Sequence, residues 1–320
     1  MVEFRTTPNG IVCKYDDTIV HLDPKNSSEE GINFVSHAHL DHLPRGDTGI
    51  FLSSVETRRL ALSRKYKMSD HRDYYTNFQL INNGHILGSR GLLFNDIYYT
   101  GDICTRTRGV LQAATIPKCK TLIIETTFGK PKFVFPPISK IKNDVNKIIS
   151  KAYSNGQPVV LLGYKLGKAQ ILSEMFSNWD PLYYHDSIKL INDVYIELGV
   201  NLKSSCGHLA AERNNLLGKK PWVMIAPKDT GASSFVKVVK SRYDAIVIDF
   251  TGWAVSTPFG ISNYKIPLSD HCDFNELIHV VKASEATKVY TVHGYTSEFS
   301  STLQDMGIDS SPLVYRKSQV

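Results

Sequence analysis

The sequence has no paired-cysteine motif. Its five cysteines, Cys13, Cys104, Cys119, Cys206 and Cys272, are odd in number and scattered, with no Cys-x-x-Cys spacing. That argues against a disulfide framework and against a cysteine-based zinc site. No apolar run approaches the length that crosses a bilayer. The start, Met1-Val2-Glu3-Phe4-Arg5, lacks the basic-then-apolar pattern of a secretory leader, so the expected setting is cytoplasmic, away from membranes. Charge imbalance is also small. A net charge of +6 on 320 residues is compatible with a polyanionic ligand without establishing one. Hydrophobic content of 42% and charged content of 21% are those of an ordinary globular chain, long enough for one large domain or two moderate ones.

What the sequence does have is histidine in one place. Ser36-His37-Ala38-His39-Leu40-Asp41-His42 puts three imidazoles and a carboxylate within one short turn, after the apolar run Ile32-Asn33-Phe34-Val35. A strand ending in such a loop projects these side chains from the rim of a sheet, and imidazole with carboxylate suits zinc and its neighbours. The alternative, a loop of solvated surface histidines, does not account for the return of the same residue types at later strand ends.

Strand-like runs end on chemistry again and again. Phe78-Gln79-Leu80-Ile81 leads through Asn82-Asn83-Gly84 to His85. Ile97-Tyr98-Tyr99 leads through Thr100-Gly101 to Asp102, and Leu122-Ile123-Ile124 ends at Glu125. Ile266-Pro267-Leu268-Ser269-Asp270 precedes His271, with Asp273 placed to cap the next helix, and Lys288-Val289-Tyr290-Thr291-Val292 ends at His293. Alone, Asp102 would read as a turn residue; in this company it is suited to bridge two metals. Asp23, at the end of Thr18-Ile19-Val20-His21-Leu22, reads equally as a turn residue or as a carboxylate that steers a metal-bound histidine. The remaining histidines, His21, His71, His185, His208 and His279, have no such context and are expected to be structural.

Between these stretches the character changes. The proline-rich stretch 131–137 marks a boundary, and 136–262 alternates helix and strand like a small α/β layer with a parallel sheet. Within it, Gly167-Lys168 opens a helix after the buried strand Val159-Val160-Leu161-Leu162, a geometry able to hold phosphate but without Walker spacing. Arg106, Arg108, Lys130 and Lys168 are the candidates for phosphate contact. Arg58, Arg59, Arg64, Lys65 and Lys67, on the helix after Ser54, read first as a solvated face.

The chain at this point resembles the metallo-β-lactamase superfamily, and within it the β-CASP nucleases. His37-Ala38-His39-Leu40-Asp41-His42 matches the superfamily signature, and Asp23, His85 and Asp102 match its accompanying positions. Glu125 in Glu-Thr-Thr-Phe-Gly, His271 in Leu-Ser-Asp-His-Cys-Asp-Phe and His293 in Val-His-Gly-Tyr match the motifs that mark the β-CASP group. Gly-Lys-Ala-Gln and Thr-Gly-Trp in the middle region look most like compact ligase-associated DNA exonucleases and archaeal mRNA 3′-end processing-like exonucleases.

The resemblance implies an αββα sandwich made by residues 1–135 and 263–320, with a small α/β β-CASP domain, 136–262, inserted between them. It implies two divalent metals, most naturally Zn2+ with Mn2+ or Fe as alternatives. One would take His37, His39 and His85, the other Asp41, His42 and His293, with Asp102 and a hydroxide bridging. Asp41, Glu125 and His271 would be the catalytic residues, His271 touching the scissile phosphate or protonating the leaving oxygen while Glu125 orients it. The implied activity is hydrolysis of nucleic-acid phosphodiesters, as a DNA exonuclease or an RNA-processing ribonuclease, with DNA-repair or RNA-processing proteins as partners. Two other readings are a small-molecule hydrolase of the same fold and a non-catalytic nucleic-acid-binding subunit. The first lacks the set Glu125, His271 and His293; the second is disfavoured by the complete set of ligands.

Overall fold

The structure is a computed structural model that describes residues 2–15, 17–219, 221–228, 234–257 and 262–313. It is mixed α/β, with two six-stranded sheets and one five-stranded sheet among the described residues. The chain divides into two compact units. The first comprises Met1–Thr107, Gln112–Pro131 and His271–Val320; the second comprises Arg108–Leu111 and Lys132–Asp270.

In the first unit, one sheet runs in the order Val2–Thr7, Gly10–Tyr15, Thr18–Leu22, Ile32–Phe34, Ile50–Leu52, Asp70–Arg72. Pro8 and Asn9 form the two-residue loop of its opening hairpin, as the Pro-Asn-Gly sequence predicts. The other sheet runs Ser310–Pro312, Lys288–Gly294, Thr121–Thr126, Ile97–Tyr99, Arg90–Phe94, Gln79–Asn82. The inward residues of both sheets, among them Val20, Leu22, Phe34, Leu92, Tyr99, Ile123 and Val292, pack into one core. That alternation of inward and outward residues is what lets two sheets share an interior. Each sheet covers its outer face with helices. Ala61 of Val55–Ser63 packs with Val35 and Phe51 on one side. Leu277 and Val280 of Phe274–Ser284 and Leu303 of Thr296–Asp305 pack with Leu122 and Ile124 on the other. The unit is therefore layered helix, sheet, sheet, helix.

The second unit is built on the parallel sheet Leu182–Tyr184, Val223–Pro227, Val159–Gly163, Ile246–Phe250, Tyr264–Ile266. Its inner strands are largely apolar, because helices cover a parallel sheet on both faces. Trp222, Met224, Val247 and Tyr243 lie in its core.

The units divide at places other than the expected 135/136 and 262/263. Phe133 packs edge-to-face with Trp253 at 5.4 Å, which draws the proline-rich stretch into the second unit. Tyr264–Ile266 pairs with Ile246–Phe250, which keeps the chain in that unit as far as Asp270. The helix Thr296–Asp305 and the short strands Asp70–Arg72, Tyr264–Ile266 and Ser310–Pro312 had no clear sequence signal. Strands of three residues are too short to show a period.

Candidate metal centre

The strand ends and loops at one edge of the first unit carry the predicted ligands. Ile32–Phe34 delivers the cluster His37–His42, Gln79–Asn82 leads to His85, Ile97–Tyr99 leads to Asp102, and Lys288–Gly294 contains His293. Gly101, at φ 55°, makes the last turn before Asp102, and a Cβ there would come within 2.6 Å of Ser36 Cβ. Two non-glycine residues of the site, Asp23 at φ 43° and His293 at φ 55°, also occupy the left-handed region. Such backbone persists only where surrounding contacts enforce it, and it concentrates at functional sites.

His37, His39, His85 and Asp102 form a group whose ligand atoms all lie within 4.8 Å of one another. His37 Nε2 and His85 Nε2 stand 3.0 and 3.1 Å from His39 Nδ1. Asp102 Oδ2 lies 3.5 Å from both His37 Nε2 and His85 Nε2, 3.6 Å from His42 Nε2 and 3.9 Å from His271 Nε2. A tetrahedral ion with metal–nitrogen bonds near 2.0–2.1 Å separates its ligand atoms by about 3.3 Å. The donor spacing fits such an ion.

Protonation points the same way. Ser36 Oγ gives its one hydrogen to Asp23 Oδ2 at 2.6 Å, so it can only accept from His37 Nδ1, 2.9 Å away. His37 must therefore carry its proton on Nδ1 and turn a bare Nε2 lone pair into the cluster. Burial, with His42 and His85 beside it, holds its pKa well below the usual histidine range. His42 Nδ1 donates to Asp23 Oδ2 at 2.8 Å, which turns Nε2 toward Asp102 and Asp41. Burial disfavours charge on His42, yet the carboxylates of Asp102 and Asp23 outweigh it and raise its pKa to about 10. Burial lifts Asp102 to about 6, against the pull of His42 and His271. Carboxylates aimed at an imidazole nitrogen need positive charge between them, which a proton or a metal supplies.

Asp23 is the hub beneath the cluster. Besides Ser36 Oγ and His42, it accepts the Ser36 N–H at 2.7 Å and the Tyr99 hydroxyl at 2.8 Å. Of its two sequence readings, the structure favours the carboxylate that orients histidines. The other side of the centre is looser. Asp41 Oδ2 stands 3.9 Å from His42 Nε2 with its side chain 82% exposed, and the His42 and His293 rings are 5.6 Å apart.

Glu125 and His271 sit beside the ligands. Asp102, Glu125 and His271 form a second close group. Both oxygens of Glu125 are already engaged, however. Its Oε1 takes His271 Nδ1 at 2.8 Å and the Ile103 N–H at 3.1 Å, and its Oε2 takes the Thr127 N–H at 2.9 Å. Burial would raise its pKa, but His271 and the hydrogen bonds from His271 and Thr127 hold it down to about 2. Glu125 is thereby bonded to the Nδ1 edge of His271, which leaves Nε2 facing Asp102.

The four basic candidates are all engaged or enclosed by the protein. Arg106 pairs with Glu276 at 3.0 Å and donates to the His271 carbonyl at 2.8 Å. Arg108 is fully buried, in the second unit. Lys168 is buried and pairs with Asp270 at 3.1 Å, in the same unit. Lys130 pairs with Glu298 at 2.8 Å and keeps 34% of its side chain exposed. Cys272 is buried, and burial pushes its thiol well above the usual range, as expected of a packing residue. Sequence reasoning passed over Ser36 and Tyr99 as functional residues. Their signal was position alone: Ser36 directly precedes His37, and Tyr99 lies three residues before Asp102.

No model of a known protein family matches the chain. It is 28% identical, over 87% of its length, to a protein of Opitutus terrae named a probable DNA ligase, and it spans only 28% of that protein. It is 24% identical to an RNase J-like protein of Methanocaldococcus jannaschii, with 81% of this chain and 80% of that protein aligned. Part of it, 29% of its length, is 33% identical to 16% of the transcription termination factor FttA of the same organism. The structure resembles that of a protein of unknown function from Enterococcus faecalis V583, with a TM-score of 0.65, 12% identity, and 98% and 96% of the two chains covered. Among the described residues, no helix is long and apolar enough to cross a membrane.

Proposed function

We propose that this chain is a metal-dependent nuclease of the β-CASP group, within the metallo-β-lactamase superfamily, that hydrolyses nucleic-acid phosphodiesters. The observation that carries the reading is the pairing of a convergent His/Asp metal centre with a Glu125-oriented histidine 3.9 Å from Asp102. His37, His39 and His85 would hold one divalent ion, Asp41, His42 and His293 a second, and Asp102 would serve both. When bound, ions such as Zn2+ neutralise the phosphodiester and acidify water near neutral pH.

The chain's own residues supply the rest. Asp23 and Ser36 engage the Nδ1 atoms of His42 and His37, so that both turn Nε2 toward the centre. The Glu125 carboxylate on Nδ1 stabilises positive charge on the His271 ring. That equips Nε2 to contact the scissile phosphate or to give a proton to the leaving oxygen. Lys130 has 34% of its side chain exposed, against 16% for Arg106 and 2% for Lys168, and is the basic candidate best suited to meet the nucleic-acid backbone.

The specific reading is an exonuclease of the ligase-associated DNA type, supported by the match of nearly the whole chain to part of a protein named a probable DNA ligase. The second reading is an RNA-processing ribonuclease, favoured by the RNase J-like relative, aligned over most of both lengths. Side-by-side digestion of end-labelled single-stranded DNA, duplex DNA and RNA by zinc-loaded protein decides between them. Shortening from one end of DNA alone is expected; preferential loss of RNA would establish the second reading, and no cleavage of any substrate would refute both.

A further inference from the structure

His271 is held by its backbone as well as by its ring. Arg106, four residues beyond Asp102, donates from Nη2 to the His271 carbonyl at 2.8 Å. Its Nε faces Glu276 Oε1 at 3.0 Å. Glu276 belongs to the capping box of helix Phe274–Ser284: its Oε2 accepts the Asp273 N–H at 2.7 Å, and Asp273 Oδ1 accepts the Glu276 N–H at 3.0 Å. One residue past His271, the Cys272 N–H donates to the Ile103 carbonyl at 2.7 Å. The Ile103 N–H in turn donates to Glu125 Oε1, the oxygen that also takes His271 Nδ1. The loop after Asp102 is thereby stitched to the turn that carries His271, and neither segment belongs to a sheet or helix that would hold it otherwise.

We infer that Arg106 is the positioning residue of His271, latching its turn to the Asp102 loop, and is not a contact to the nucleic-acid backbone. The guanidinium is suited to this because its rigid planar head donates to the His271 carbonyl while its charge lies against the Glu276 carboxylate, which a lysine ammonium on a flexible stem does not reproduce. Only 16% of the Arg106 side chain is exposed, too little for a phosphate to displace Glu276 and the His271 carbonyl. Without the latch, the helix cap remains, but the turn loses the bond at the His271 carbonyl and the adjoining Cys272 tie opens more often. A displacement of about 1 Å at such a group costs on the order of 10²-fold in rate.

The kinetic half of the test rests on the proposed nuclease activity; the exchange half does not. Arg106→Gln and Arg106→Lys are compared with the wild-type chain, all zinc-loaded, for bound metal, hydrogen–deuterium exchange over residues 271–277, and kcat and KM on an end-labelled oligonucleotide at several salt concentrations. The expected result is unchanged metal content, faster exchange at the Cys272 amide, and kcat down by about 10²-fold with KM and its salt slope unchanged. Arg106→Lys should rescue little. A raised KM at unchanged kcat, with a shallower salt slope and rescue by lysine, would overturn the latch in favour of a phosphate contact. Unchanged exchange at Cys272 would also overturn it. If Arg106→Gln fails to fold, Glu276→Gln keeps the helix cap, removes the ion pair, and should show the same exchange and kcat changes in smaller measure. If the wild-type chain cleaves nothing, the nuclease reading fails while the exchange result still decides the latch.

Discussion

The two sides of the candidate centre are built differently. On one side, His37 and His85 are fully buried and converge on His39 Nδ1 at 3.0–3.1 Å, with Asp102 closing the group. On the other, Asp41 points largely into solvent, His293 is exposed on a left-handed backbone, and the donors stand farther apart. The enclosed side is held by sheet ends and core packing. The open side draws His293 from a left-handed position near the end of Lys288–Gly294, while Asp23 lies beneath both sides, bonded to His42 and, through Ser36, to His37. The difference suggests that the enclosed side is preorganised for an ion, while the open side is drawn together by one.

Substitutions can break this contrast, and the largest effect belongs to the residue common to both sides. Asp102→Asn should lower affinity at both positions by more than about 100-fold, beyond the usual cost of losing an outer partner, as read by elemental analysis after dialysis. A protein that still holds two ions would remove Asp102 from its bridging role. His271→Ala should keep its metal and lose about 10²–10⁴-fold in kcat; loss of metal instead would make His271 a ligand. His85→Ala and His293→Ala test the asymmetry itself. The first should empty the enclosed side and weaken the other; the second should leave one tightly held ion. Asp23→Asn should cost about 10–100-fold in metal affinity, because both His42 and, through Ser36, His37 lose their orienting acceptor. Tyr99→Phe removes one of four donors to Asp23 without opening a cavity, so chelator competition should show a loss of at most about tenfold.

The grouping of the candidate ligands was legible in the sequence because they follow strand-like runs. Hydrophobic runs fix where strands stop, and a histidine or carboxylate at the stop must project from the rim. His85, Asp102 and His293 could be placed with His37–His42 on that ground alone. The division of the chain was less legible, since it depends on Phe133 meeting Trp253 and on a three-residue strand pairing across the sequence. The roles of the arginines were the least legible. Arg106 in the sequence is a basic residue near acidic strand ends, which is the signature of a phosphate contact. Only the fold shows its guanidinium directed at Glu276 and the His271 carbonyl. Tyr99 was hidden for a related reason: its apolar body fits the core pattern, and its hydroxyl acquires meaning only beside Asp23.

Joint action of the two sides on a phosphodiester can be read from a single titration. Metal-stripped protein is titrated with Zn2+ while bound metal and cleavage of end-labelled single-stranded DNA, duplex DNA and RNA are measured on the same samples. Two ions per chain are expected, the first bound more tightly, with cleavage appearing as the second is taken up. Two ions bound with none of the three substrates cut, or full cleavage with the open side empty, would refute joint action.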